Sequence, residues 1–227
     1  MYVWNTAIVS VILTSFLLEI SRLILSQPYR DGDLEAGIII HELSHGLSTR
    51  LTGGPMNSGC LGWGESGGMG EGWGDFIAST VRAHKKYQDF PMGAWASNQD
   101  GGIRNYPYST VNVLPILHPP HSTNTPFQNF TINPSTYKTL DQPGYWGVHA
   151  IGEVWAEILW VVEQKMIKKH GFATNLFPPQ PDENGVVPEG DFYRPREAGK
   201  PLVPKHGNAL MLKLVIDAMK HQNCRPS

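Results

Sequence analysis

The chain has 227 residues, enough for one large domain or a two-lobed one with a sizeable core. Apolar residues make up 41% and charged residues 17%, which excludes a disordered tail or a coiled coil. With 18 basic and 20 acidic residues, the formal net charge is −2, so the basic excess typical of proteins that bind nucleic acid or anionic membranes is missing.

The first predicted element is an apolar segment, residues 7–26, which has the length of a membrane span. As a membrane helix it would place Glu19 and Arg22 inside the hydrocarbon, which is costly. As a signal peptide it lacks a basic start, and no small-x-small cleavage site follows before Pro28. As a core helix it is apolar around too much of its circumference to resemble an ordinary surface helix. The residues alone leave these interpretations open.

The second element is a helix predicted over residues 37–50, which contains the pattern His-Glu-x-x-His. His41 and His45 are four residues apart and therefore lie on one helical face. Both imidazoles can reach one metal ion at about 2.0–2.1 Å, and Glu42 is then beside a water molecule that the metal activates. The competing interpretation is an ordinary helix with two unrelated histidines.

The third element is a helical stretch predicted to open at Glu71 and to continue to residue 82. The glycine-rich run at residues 62–74 lacks the context of a phosphate-binding loop, and we interpret it as shaping the approach to Glu71. A catalytic zinc ion normally has three protein ligands, and Glu71 is a candidate for the third. Asp75 lies on the same face and is a candidate to orient a histidine ligand. Alternatively, the two carboxylates belong to a solvated helix start.

Two further helices and a long connection are predicted in the second half of the chain. Residues 177–204 are rich in proline and glycine and predict a long surface connection, and residues 209–220 predict the last helix. The total of 24 glycines and 18 prolines likewise favours long ordered loops over a compact helix bundle. Cys60 and Cys224, the two cysteines, form one disulfide or none. The other helix has an apolar face at spacings of three and four, made of Ile151, Trp155, Ile158, Leu159 and Val162.

Two runs of residues carry a more specific signal: HELSHGLSTRLTGGP at residues 41–55 and GGMGEGWGDF at residues 67–76. Together they resemble the fungalysin family of secreted fungal metallopeptidases, whose active-site plan is similar to that of thermolysin-like enzymes. The resemblance extends over most of the chain from Pro28 onward. It implies one zinc ion per chain and leaves calcium open. The site residues that it implies are the zinc ligands His41, His45 and Glu71, the general base Glu42 and the ligand-orienting Asp75.

The resemblance also implies a second catalytic residue. The Gly-Val-His sequence ending at His149 resembles the motif that supplies an oxyanion donor in thermolysin-like enzymes. Asp141, eight residues earlier, is the candidate to polarise His149, although this spacing is longer than in the thermolysin pattern. The alternative is that His149 only caps the helix that follows it.

Substrate binding is assigned to Arg104 and Tyr106. Arg104 resembles the arginine that binds a substrate backbone carbonyl, and its alternative role is that of a surface arginine. Between the second and third expected ligands the chain has no tyrosine, where thermolysin-like enzymes carry an oxyanion-binding one. Tyr106 or Tyr145 could take that role, or His149 could act alone.

The fold implied by the resemblance is α+β and zincin-like, with the thermolysin-like arrangement. In the portion present here we expect it to be mainly helical, with an incomplete N-terminal β-rich lobe. Residues 28–227 are predicted to form the metallopeptidase catalytic domain, truncated at both ends. Residues 1–27 are interpreted as a family-like start followed by the apolar insert.

The apolar insert has no counterpart in the family pattern. Val9 and Ser10 can be encoded by GTAAGT, a typical splice donor, and Gln27 by CAG, a typical acceptor. We therefore hypothesise that residues 9–27 are a translated intron. A transcript that lacks these codons would support the hypothesis, and one that always retains them would refute it.

The predicted function is that of a secreted, zinc-dependent endopeptidase acting on protein or peptide substrates. The family resemblance implies secretion and a propeptide in the full-length precursor, although no signal peptide is recognised in this chain. No nucleic-acid or membrane partner is expected. The alternative is a non-catalytic zinc-binding fragment, a pseudoenzyme, of such a protease. A membrane-anchored binding protein that uses residues 7–26 ranks below both.

Overall fold

The computed structural model describes residues 30–110, 133–188, 190–222 and Cys224. The apolar segment 7–26 and the hypothetical insert 9–27 lie outside these residues. The described helices are α1 (Ala36–Leu51), α2 (Gly64–Arg82), α3 (Ala94–Ser97), α4 (Val148–His170), α5 (Gly207–His221), and the 3₁₀ helices Gly32–Leu34, Ser58–Leu61 and Tyr137–Asp141.

Extended structure among the described residues is limited to two isolated antiparallel bridges, Phe90 with Tyr108 and Tyr193 with Pro204. The expected mainly helical character is therefore confirmed, whereas the described ranges contain no β-sheet that would make the fold α+β. The long connection predicted over residues 177–204 is also confirmed, because the described residues between α4 and α5 form no helix. None of the described helices has both the length and the apolar character of a membrane span.

Helix α2 packs against α1 and α4, the helices that carry most of the other predicted site residues. Its contact with α4 is close because glycines face each other across it. A Cβ atom at Gly72 would lie 2.7 Å from the carbonyl oxygen of Gly152, and one at Gly68 would lie 2.2 Å from Cγ2 of Ile151. Any larger residue at these positions would force the two helices apart.

The start of α2 corrects the sequence prediction. The helix begins at Gly64, seven residues before the expected start at Glu71, and so includes most of the glycine-rich run. Glycine disfavours a helix interior by about 1 kcal/mol relative to alanine, which is why the sequence indicated a later start. Here the tight contact with α4 requires glycine, and tertiary packing overrides the local preference.

The largest apolar cluster among the described residues joins three helices. Its buried members come from α2, α4 and α5, so burial of apolar surface fixes these helices to one another. They are Trp73, Phe76, Ile77, Leu159, Met211, Val215 and Met219.

The core face predicted for α4 is wrong at one position. Ile151 and Leu159 are buried as expected, but Val162 is 40% exposed. The next residue, Glu163, is completely buried in its place. The prediction failed because it assigned the inward position to the more apolar of two neighbouring residues.

The disulfide left open by the sequence is formed. Cys60 and Cys224 are joined across a sequence separation of 164 residues. The bond links the 3₁₀ helix Ser58–Leu61, which follows α1, to the chain just beyond α5. It therefore ties α5 to the segment that leads into α2, and it restricts the conformations open to the unfolded chain.

Candidate metal centre

Helix α1 places two histidines at the centre of the molecule. His41 and His45 are 3% and 6% exposed, and their Nε2 atoms lie 3.1 Å apart. Leu43 on the same helix is 69% exposed, whereas most of the buried residues of α1 are polar or glycine. The buried face of α1 is therefore largely polar, which is unusual for a buried face and typical of a ligand-binding one.

Helix α2 supplies the third donor. Glu71 is buried, with Oε2 3.2 Å from Nε2 of His41 and Oε1 3.6 Å from Nε2 of His45. One ligand atom from each residue lies within 4.8 Å of the others. Tetrahedral ligands at about 2.0–2.1 Å from a zinc ion are about 3.3–3.4 Å from one another. The observed separations of 3.1–3.6 Å match this spacing, so the three residues fit zinc.

Glycines allow the histidine and the carboxylate to reach these positions. A Cβ atom at Gly74 would lie 2.7 Å from Nδ1 of His41, and one at Gly152 would lie 2.5 Å from Cβ of Glu71. Gly74 thus leaves room for the His41 imidazole against α2, and Gly152 leaves room for Glu71 against α4. The glycine-rich character of α2 serves the site as well as the packing.

Asp75 contacts the first histidine directly, and its expected role in orienting that histidine stays a prediction. Nδ1 of His41 donates a hydrogen bond to Oδ1 of Asp75 at 2.6 Å, which leaves Nε2 to face the other donors. Arg104 donates to both oxygens of the carboxylate, from Nε to Oδ2 at 2.7 Å and from Nη2 to Oδ1 at 3.0 Å. The hydroxyl of Tyr108 donates to Oδ2 as well.

The charges of the cluster follow from these contacts. Burial opposes ionisation of Asp75, but Arg104 and His41 outweigh it and hold the pKa of the carboxyl well below its usual range. Burial is likewise outweighed at His41, where Asp75 and Glu71 raise the pKa to about 10. Glu71 is held at a pKa of about 2, against its burial, by the hydrogen bond and charge of His41. At His45, burial and the neighbouring His41 lower the pKa to about 4.

The two residues expected to be catalytic are Glu42 on α1 and His149 on α4. Glu42 follows His41 on α1 and is 5% exposed. His149 lies in the first turn of α4, with its side chain 25% exposed and Nε2 3.4 Å from Oε2 of Glu71. His149 is thus beside the candidate metal ligands, with a side chain that is partly exposed and an Nε2 atom that is buried.

The remaining expected site residues lie at different depths. Arg104 is buried against Asp75, so the interpretation as a surface arginine is wrong. Tyr106 is half-buried in the same segment. Tyr145 is also half-buried, and burial raises its pKa to about 12. Asp141 is exposed at the end of the 3₁₀ helix Tyr137–Asp141, and its expected action on His149 stays a prediction.

Sequence reasoning missed Tyr108 and two carboxylates that anchor its segment. Glu153 accepts hydrogen bonds from the backbone nitrogen of Asn105 at 2.8 Å and from its Nδ2 at 3.0 Å. Glu157, one turn later on α4, accepts from the backbone nitrogen of Ser109 at 3.2 Å. A signal was present: two acidic residues four apart within an apolar helical stretch indicate a buried polar function.

A His-Glu-x-x-His helix that meets a third ligand, a carboxylate, from a second helix is typical of zinc metallopeptidases. Comparison with known proteins agrees: a model of the Fungalysin metallopeptidase (M36) family matches residues 1–227. The chain belongs to this family, and the resemblance noted in its sequence is confirmed.

Individual relatives of the chain are named as extracellular metalloproteinases. Extracellular metalloproteinase MEP of Neosartorya fischeri is 44% identical over 205 residues, covering 89% of this chain and 26% of the relative. Extracellular metalloproteinase 2 of Trichophyton tonsurans is 41% identical over 230 residues, covering 100% of this chain and 27% of the relative. The chain thus spans about a quarter of the length of the curated relatives it matches.

Proposed function

We propose that the chain is the metal-binding part of a zinc-dependent endopeptidase. The observation that carries the proposal is the convergence of three buried donors, His41, His45 and Glu71, within 4.8 Å. Two imidazoles and one carboxylate are a ligand set of catalytic zinc, which leaves a further coordination position for water or substrate. When bound, zinc would supply Lewis-acid polarisation of the peptide carbonyl and would activate the attacking water.

The residues around the donors have distinct proposed roles. Glu42 takes a proton from the attacking water and passes a proton to the leaving amine, as a general base and then a general acid. His149 donates a hydrogen bond to the carbonyl oxygen as negative charge develops there, and the position of its Nε2 atom 3.4 Å from Oε2 of Glu71 supports this role. Asp75 keeps the proton on Nδ1 of His41 and so keeps Nε2 directed at the metal.

The wider properties of the enzyme are proposed from the relatives. Their names describe extracellular metalloproteinases, so we propose a secreted protease whose substrates are proteins or peptides. A zincin-like fold, a β-rich N-terminal lobe and a propeptide in the precursor belong to the same proposal. The assignment of Arg104 and Tyr106 to substrate binding stays a prediction.

The proposed activity is tested with an internally quenched peptide. The purified chain is stripped with a chelator, assayed, and assayed again after zinc is resupplied. We expect cleavage to return with zinc and to fall by about 10²–10⁴-fold in Glu42→Gln, because that variant lacks the general base. Glu183→Gln is the matched control, since it makes the same change in an exposed turn and should leave cleavage unchanged.

The outcomes separate the two candidate functions. Zinc-restored cleavage that depends on Glu42 would establish the protease chemistry. Binding of one zinc ion without cleavage would favour the non-catalytic zinc-binding fragment. Cleavage that survives in Glu42→Gln would refute the proposed general base.

A further inference from the structure

We propose that Tyr108 is a positioning residue for the metal ligand His41, acting through Asp75; this inference rests on the proposed zinc site. The Tyr108 hydroxyl donates to Oδ2 of Asp75, while Oδ1 of the same carboxylate accepts the proton of His41 Nδ1. The direction in which Nε2 of His41 points therefore depends on how the Asp75 carboxylate is held.

The position of Tyr108 is fixed independently of Asp75. Its backbone nitrogen and oxygen pair with those of Phe90, each at 2.9 Å. Asn105, three residues before it, and Ser109, the next residue, are held by the α4 carboxylates described above. The tyrosine ring is 1% exposed and packs in an apolar cluster with Ala78, Met92, Ala156 and Trp160.

This arrangement gives the hydroxyl a role separate from that of the ring. Packing against apolar neighbours would be retained by phenylalanine, which has the same ring and lacks the oxygen. The loss would fall on Asp75, whose Oδ2 would keep Arg104 but lose the donor on its other side. A carboxylate with fewer fixed donors has more orientational freedom, and the His41 imidazole that it holds becomes less well directed.

The test is the zinc affinity of Tyr108→Phe, measured by competition with a chromophoric chelator. We expect binding to weaken by about tenfold, the scale seen when residues behind a metal ligand are altered. Tyr87→Phe is the matched control. Its hydroxyl makes two hydrogen bonds, one to Asp89 and one from the backbone nitrogen of Thr110, and both lie outside the cluster of candidate metal ligands. We expect its zinc affinity to equal that of the wild type.

A double-mutant cycle tests whether the effect passes through Asp75. In an Asp75→Asn background, Tyr108→Phe should weaken zinc binding less than it does in the wild type. Effects that multiply independently would overturn the inference. Unfolding of the zinc-free proteins in urea is followed in parallel, because a purely structural role for the hydroxyl would lower stability and leave zinc affinity unchanged.

The other outcomes are equally decisive. An affinity of Tyr108→Phe within twofold of wild type overturns the inference and leaves the zinc site standing. Failure of the wild-type chain to bind zinc refutes the proposed function instead. If Tyr108→Phe folds only with zinc, faster zinc release to excess chelator supports the inference. A variant that stays unfolded in saturating zinc overturns it, because the hydroxyl is then required for folding.

Discussion

Asp75 on α2 and Glu163 on α4 are both buried carboxyl groups, 1% and 0% exposed, yet they are in opposite states. Asp75 is surrounded by Arg104, His41 and Tyr108, and its pKa is held well below the usual range despite burial. At Glu163 burial raises the pKa to about 8, and the hydroxyl of Thr80 offsets only part of that rise.

The difference shows that the partners of a buried carboxyl group, rather than its depth, decide its charge. Asp75 is a fixed anion, which is the state needed to hold the proton on Nδ1 of His41. Glu163 keeps its proton at neutral pH and belongs to the interior of the helix assembly. The carboxyl group of Asp75, beside the metal centre, is kept charged, whereas that of Glu163, in the helix interior, is kept neutral.

The strongest way to break this contrast is to remove the cation beside Asp75. Arg104→Met should lower the free energy of unfolding by about 3–5 kcal/mol at pH 7, because it removes one of the two cationic partners of a buried carboxylate and leaves only His41. Urea unfolding of the zinc-free proteins measures the change. Lys205→Met removes a lysine from an exposed pair with Asp191 and is the control, with no measurable change expected. A loss for Arg104→Met below about 1 kcal/mol, the range of exposed pairs, would contradict the account.

At the other carboxyl group, Glu163→Gln should remove a component of the pH dependence of stability. The folded protein keeps this proton up to about pH 8, whereas the unfolded chain releases it near the ordinary glutamate pKa of 4.5. Between these values the unfolded state binds fewer protons, so this group makes the free energy of unfolding fall as pH rises. From pH 5 to pH 8.5, the variant should gain about 2–4 kcal/mol relative to the wild type.

Urea unfolding at several pH values tests that prediction, with Glu183→Gln, in an exposed turn, as the control. The control curve should run parallel to that of the wild type. If the Glu163→Gln curve is also parallel, the folded protein does not hold a proton on this residue, and the contrast with Asp75 fails.

The smallest expected effect concerns Gly74, the glycine that packs against His41 at the metal centre. Gly74→Ala would place a Cβ atom 2.7 Å from Nδ1 of His41, so the imidazole must move away from α2. We expect a loss of about 1–3 kcal/mol in the free energy of unfolding. Gly59→Ala, where an added Cβ meets nothing within 4 Å, should show no such loss. Equal behaviour of the two variants in urea unfolding would contradict the described packing.

Local geometry made part of the site predictable from sequence. His41 and His45 are brought together by one helical turn, so a single motif was sufficient to propose them as ligands. Glu71 is 30 residues away from His41 and meets it only through helix packing, so the residues made it only a candidate for the third ligand, and the family resemblance then implied that role. The four-residue step from Glu71 to Asp75 within α2 then supplied the orienting carboxylate.

The rest depends on tertiary contacts that have no local signature. Tyr108 is 33 residues from Asp75 and comes from a non-helical segment, so no periodicity indicates its contact. The early start of α2 and the burial of Glu163 contradict intrinsic propensity and hydrophobicity, respectively, because packing decides both. For the same reason, the sequence left undecided whether Cys60 and Cys224 form a disulfide.

The central claim is that His41, His45 and Glu71 hold one zinc ion. The most direct test is a crystal of the zinc-loaded protein, measured on both sides of the zinc absorption edge. The account predicts one anomalous peak at about 2.0–2.2 Å from Nε2 of His41, Nε2 of His45 and a carboxylate oxygen of Glu71. A zinc peak only at other residues, or an empty site at saturating zinc, would contradict it.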